Sequence, residues 1–174
     1  MHAQTPLPPD IVHASAERVH RAGHAYFEVS ASGFARATPE QAWRVLTDYD
    51  ELADFVPDLT SSRVISRDGR EAVVEQRSEV GILFVTHAIH IVERITEQPF
   101  SAIDVAMVSG NMKRYRAHWD LAPSSQNGVS GTRIIYSGMM EPDFFIPPVI
   151  GESIVQANMK KMVEAVIERI DRQH

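Results

Sequence analysis

A chain of 174 residues, 44% hydrophobic and 23% charged, has the make-up of one globular domain with a sizeable core. Its formal charge of −6 and its lack of any Lys/Arg cluster disfavour a nucleic-acid partner, because a phosphate backbone calls for a basic footprint. No run approaches the roughly 18 apolar residues of a membrane-spanning helix, which argues against stable membrane insertion. With no cysteine there is no disulfide, thiolate nucleophile or Cys-based zinc site.

Residues 1–25 are polar, contain prolines and lack the apolar core of a signal peptide. They are expected to form a poorly ordered leader, with the domain proper over 26–174. The expected location is the cytoplasm, or the periplasm if a signal was removed ahead of Met1. From Tyr26, apolar Phe27, Val29, Ala31, Gly33 and Ala35 alternate with Glu28, Ser30, Ser32 and Arg36, the period of a half-buried strand. Thr38-Pro39-Glu40-Gln41 then carries a capping box with Pro at the first helical position, and Ala42, Val45 and Leu46 supply its apolar stripe. A second short helix, from about Asp50 to Phe55, stops at Pro57.

Strands are predicted over 62–66 and 72–79, around a hairpin signal at Asp68-Gly69. Others follow at 82–95, 102–108, 113–121 and 132–140, punctuated by Gln98-Pro99, Gly110-Asn111 and Asn127-Gly128. A stiff apolar segment, 141–148, precedes a long helix whose apolar face carries Val155, Met159, Met162, Val163, Val166 and Ile170. Ser153 and Gln156 offer it a capping box, and Pro148 an earlier start. The fold class is therefore α+β: about seven strands in an antiparallel meander, two short helices after the first strand, and one C-terminal helix long enough to cover the sheet. A twisted sheet curls around such a helix, and where the two diverge a cavity can remain.

Trp43-Arg44-Val45-Leu46-Thr47-Asp48-Tyr49 with Phe55-Val56-Pro57, and the stretch from Gly110-Asn111-Met112 to Trp119-Asp120-Leu121, form an ordered set. Thr132-Arg133-Ile134-Ile135-Tyr136, Glu141-Pro142 and Ile146-Pro147-Pro148 ahead of a long helix extend it. The set, covering roughly 26–172, resembles the START-like superfamily (SRPBCC), in its polyketide cyclase/dehydrase and coenzyme-Q-binding branch. That resemblance implies a helix-grip fold and a hydrophobic tunnel. It does not choose among lipid carriage, quinone binding and polyketide cyclisation.

Six of the seven methionines, Met107, Met112, Met139, Met140, Met159 and Met162, fall in the last three strands and the closing helix. They suit either a pliable pocket lining or ordinary core filling. The residues expected to line a ligand pocket are Trp43, Phe55, Phe84, Met107, Tyr115, Trp119, Tyr136, Met139, Phe144, Met159 and Met162. Phe144, Phe145 and Ile146 form either a gate over its mouth or a staple for the loop. Were the chain a cyclase, Tyr115, Tyr136 or His90 would serve as proton donors; no nucleophile elbow, P-loop or dinucleotide motif accompanies them. No metal site or cofactor is expected, because His87 and His90, three apart on a strand, point to opposite faces. The acidic run Asp48, Asp50, Glu51, Asp54 and Asp58 reads as a solvated, capping cluster, and Arg114, Arg116 and His118 as an outer strand face. The expected function is binding or transport of a hydrophobic small molecule. Alternatives are an aromatase/cyclase and a protein-interaction module built on the Phe144-Phe145 loop.

Overall fold

The computed structural model describes residues 11–173. Two strands open the chain, β1 (His13–Arg21) and β2 (His24–Ala35), followed by helix α1 (Pro39–Thr47) and a 3-10 turn (Tyr49–Asp54). Six strands follow: β3 (Leu59–Asp68), β4 (Glu71–Ile82), β5 (Val85–Gln98), β6 (Ala102–Gly110), β7 (Met112–Gln126) and β8 (Val129–Pro142). Helix α2 (Gly151–Arg172) ends the fold. All strands join one curved antiparallel sheet in the order β1-β2-β8-β7-β6-β5-β4-β3. This is an α+β helix-grip arrangement, with eight strands among the described residues where the sequence pattern gives seven.

The extra strand is β1, which falls inside the stretch expected to be leader. Its side chains alternate in exposure, yet the inward ones are only Ala14, Ala16 and Arg18, too small or too polar to register as an apolar period. Its hairpin to β2 turns on Ala22-Gly23, both at positive φ, the backbone of a two-residue turn usually marked by Asn-Gly. Asn127-Gly128 makes the same turn between β7 and β8, as its sequence predicts. The predicted strand over 82–95 starts too early: Ile82 still belongs to β4, and β5 begins only at Val85. Ile82 pairs with Val85, so Leu83-Phe84 forms a tight turn with Leu83 at φ 56°. An apolar pair carries no turn signal, which is why the pattern hides it.

Helix α1 has its capping box: the Thr38 hydroxyl accepts from the Gln41 backbone N–H at 3.1 Å, and the Gln41 side chain accepts from the Thr38 N–H at 2.9 Å. Helix α2 begins at Gly151 with no side-chain cap, so Ser153 lies inside its first turn instead of capping it. The helix packs chiefly on β2 and β1. Gly33 on β2 allows this approach, since a Cβ there would sit 2.4 Å from Ile167 Cδ1. Val163, Ile167 and Ile170 are buried in that contact region. Seated on one side of the sheet, the helix leaves space over β4 to β8.

The far side is fixed by a polar knot. Tyr49 Oη donates to Glu97 Oε2 at 2.8 Å, and Arg67 grips the same carboxylate through two nitrogens at 2.7 and 3.2 Å. The knot ties the 3-10 turn to β3 and β5. Burial, then the bond to Glu97, pushes the Tyr49 hydroxyl well above its ordinary range, so it stays a donor. Glu97→Ala is expected to cost about 2 kcal/mol in urea unfolding, because it strands a buried phenol and a partly exposed guanidinium. An unchanged midpoint would mean the knot contributes nothing net.

Candidate functional site

Between α2 and the concave face of β4–β8 lies a cavity of about 260 Å³. Strand parity chooses its wall. Ile89, Ile91, Glu93 and Ile95 of β5 point in, as do Tyr115 and Trp119 of β7 and Tyr136 and Met140 of β8. Ile154, Val155, Asn158, Met159, Met162 and Val166 of α2 form the opposite wall, and Tyr49, Leu52, Val56 and Leu59 close one end. Phe144 and Ile146 of the segment joining β8 to α2 also line it. Apolar surface dominates, and the lining contains no Lys, Arg or His.

Of the residues expected in the pocket, Tyr115, Trp119, Tyr136, Phe144, Met159 and Met162 line the cavity. Five do not. Phe84 is fully exposed at the apex of the β4–β5 turn, where nothing can cover it. Met139 pairs with Arg116 on the outer face; its neighbour Met140 takes the inner position. Trp43 is buried on α1, edge-on to Phe100 at 6.0 Å. Phe55 packs on the core beneath the Arg169 guanidinium, 5.2 Å from its ring centroid. Met107 faces Glu93 across the β5–β6 register without lining the cavity.

Among the candidate proton donors, His90 falls on the outer face, where its Nε2 lies 3.0 Å from Glu75 Oε2. Tyr115 and Tyr136 stand within the cavity with their hydroxyls 3.4 Å apart, and Trp119 meets the Tyr136 ring edge-on at 4.8 Å. Burial raises both hydroxyls, Tyr136 to about 12 and Tyr115 well above the ordinary phenol value, so both carry their protons at neutral pH. The segment ahead of α2 is held from both sides. His87 stacks on Phe144 with ring centroids 4.1 Å apart, and Arg18 Nη2 donates to the Ile146 carbonyl at 3.2 Å. Phe145 next to them is three-quarters exposed, like Val149 and the Leu83-Phe84 tip. The expected outer face holds: Arg114 pairs with Glu141 at 2.7 Å and His118 with Asp104 at 2.6 Å. Within the acidic cluster, Asp50 accepts from the Val64 N–H at 2.9 Å, while Asp58 lies on the cavity rim.

Sequence reasoning missed Glu93. Its carboxyl is buried, 3% exposed, and has no hydrogen-bond partner among the described residues. Desolvation alone pushes it up to about 8, so it is largely protonated at neutral pH. The signal was a charge at an apolar position of the alternation Ile89, Ile91, Glu93, Ile95. Tyr49, Asp58, Asn158, Gln76 and Ser78 are the other polar lining residues not anticipated.

The same architecture occurs in solved structures of low sequence identity. A START superfamily protein from Mycobacterium smegmatis matches with a TM-score of 0.70 at 13% identity, over 84% of this chain and 99% of that one. A STAR-related lipid transfer protein from Xanthomonas axonopodis matches at 0.69 and 14%, over 90% of this chain and 98% of that one. An aromatase/cyclase from a Streptomyces species matches at 0.68 and 13%, over 85% and 95%. No curated protein sequence matches the chain. The model of the family described as polyketide cyclase / dehydrase and lipid transport matches residues 36–167, and the chain belongs to that family. No helix among the described residues is long and apolar enough to cross a membrane.

Proposed function

We propose that this chain binds and carries an apolar small molecule, such as a lipid, an isoprenoid quinone or a polyketide-like aromatic, in the cavity between α2 and the sheet. The observation that carries the proposal is a predominantly apolar cavity inside an otherwise packed domain. Burying a ligand's apolar surface there supplies about 25 cal/mol per Å². Its size sits near the low end of small-molecule sites, about 300 Å³. Residues Phe144, Phe145 and Ile146 act as a gate: Phe144 and Ile146 face the ligand, and Phe145 faces outward. We place the carrier in the cytoplasm, or in the periplasm where an export signal precedes Met1.

Met159→Arg puts a charge into the wall, whereas Lys160→Glu changes only the exposed side of the same helix. The first is expected to weaken ligand uptake at least about tenfold and the second less than about twofold. Native mass spectrometry of protein from its own host, with lipid extraction, checks for the natural cargo. Equal effects of the two variants, or no apolar molecule retained and no thermal shift with quinones or fatty alcohols, would sink the proposal.

A second reading, an aromatase/cyclase, is favoured by the grouping of Tyr115, Tyr136 and Glu93 in one apolar cavity, which gives proton donors a dry place to act. His90 leaves that reading, being on the outer face. Docking of another protein on the Phe144-Phe145 loop has less support, because Phe144 turns inward over an open cavity.

A further inference from the structure

Two glutamates of β5 lie on the same face of the same strand, four residues apart, and the structure treats them differently. Glu97 is fully engaged by Tyr49 and Arg67. Glu93 is surrounded by apolar side chains. Ile91 and Ile95 flank it along the strand, while Val74 and Met107 stand opposite it on the neighbouring strands. A carboxyl placed there without a partner costs more than an isosteric apolar residue would. Nothing in the packing needs it, and it opens on the cavity.

The groups that share the cavity with Glu93 narrow what can meet it. The other polar groups lining the cavity are Tyr49 and Asp58 at one end, Gln76 and Ser78 of β4, Tyr115 and Trp119 of β7, Tyr136 of β8 and Asn158 of α2. None is a cation. A ligand carboxylate would find no positive charge in the lining and would meet the Glu93 carboxyl. A neutral oxygen would find donors instead. One of the Tyr115 and Tyr136 hydroxyls is left with a free O–H after the 3.4 Å contact between them, and a protonated Glu93 supplies a second. A carbonyl or hydroxyl oxygen has the lone pairs to accept from both.

Resting on the proposal that the cavity binds an apolar molecule, we infer that Glu93 is its head-group selector: in the protonated form it donates to an uncharged carbonyl or hydroxyl oxygen of the ligand, and the site rejects carboxylates. Burial alone keeps the proton on Glu93 through neutral pH, and this donor is lost as pH rises through about 8.

Decanol, decanoate and decylamine share one chain and differ at the head, which makes them the probes, titrated by calorimetry into the intact protein. Near pH 6.5, decanol is expected to bind about tenfold more tightly than decanoate and no more weakly than decylamine. Its affinity falls severalfold by about pH 9.5, with decanoate staying weak. Glu93→Gln, which still donates, keeps the preference and removes the pH dependence; Glu93→Leu brings decanol and decanoate to within about twofold. Decanoate binding as tightly as decanol, or an unchanged preference in Glu93→Leu, would overturn the inference while leaving cavity binding in place. Tightest binding of decylamine would overturn it in favour of an ionised Glu93 paired with a cation. If none of the probes binds a protein that melts cooperatively, the carrier proposal fails along with it.

Discussion

Glu93→Leu is expected to stabilise the protein near pH 9 by about 3 kcal/mol while changing its stability near pH 4.5 by less than about 1. The sign follows from the direction of the shift. The folded state holds the Glu93 proton up to about 8, whereas the unfolded chain releases it near 4.5. The folded state therefore binds more protons across that interval, so stability is highest below it and is lost as pH rises through about 8. The interval of 8 − 4.5 = 3.5 pH units corresponds to at most about 5 kcal/mol, and partial relaxation around the charge reduces this. Leu has a similar reach and suits neighbours that are already Ile91, Ile95 and Val74. Urea unfolding of both proteins at the two pH values is the measurement. A gain that is the same at both would mean that Glu93 never holds its proton.

Gly110→Ala is expected to cost at least about 3 kcal/mol, at any pH. Gly110 lies where β6 ends against β5, at φ 142°, a conformation side chains avoid. A Cβ would sit 2.3 Å from the His90 carbonyl and 2.8 Å from the Ile91 Cα. Both are backbone atoms, so no rotamer change can relieve the clash. Next to it, Asn111 ties down the same edge: its side chain accepts from the His90 N–H at 2.8 Å and donates to the Ala88 carbonyl at 2.9 Å. A thermal melt of Gly110→Ala against Gly131→Ala gives a second backbone clash, with Ala35 O at 2.2 Å, for comparison. A shift of less than about 2 °C at Gly110 would show that the strand end is free to move.

Much of the fold was legible because its elements have strong local codes. The capping box of α1, the Asn127-Gly128 turn and the alternation in β2 and β7 all need only neighbouring residues to specify them. What was hidden has a physical reason in each case. β1 is held by its pairing with β2 and by Arg18 bridging to Ile146, long-range contacts that its small, polar side chains do not announce. The Leu83-Phe84 turn is apolar, so it reads as strand. In the site, Met159, Met162 and Val166 follow directly from the helical period, whereas Met139 and Met140 differ only by register, which one sequence does not set. Glu93 was visible as a break in an isoleucine alternation, but only burial with no partner gives that break a meaning.

The seating of α2 on one side of the sheet has a consequence for how this protein can change. The side chains that hold the helix down, Val163, Ile167 and Ile170, are absent from the cavity wall; of those that shape the wall, Ile154, Asn158, Met159 and Met162 are only partly buried, and Val155 and Val166 belong to both sets. Anchoring and the cavity wall thus use largely separate stripes of one helix. If the domain carries a ligand as proposed, substitutions at the partly buried wall positions would retune its cargo without loosening the anchor, making it an evolvable container whose contents drift while its frame stays put.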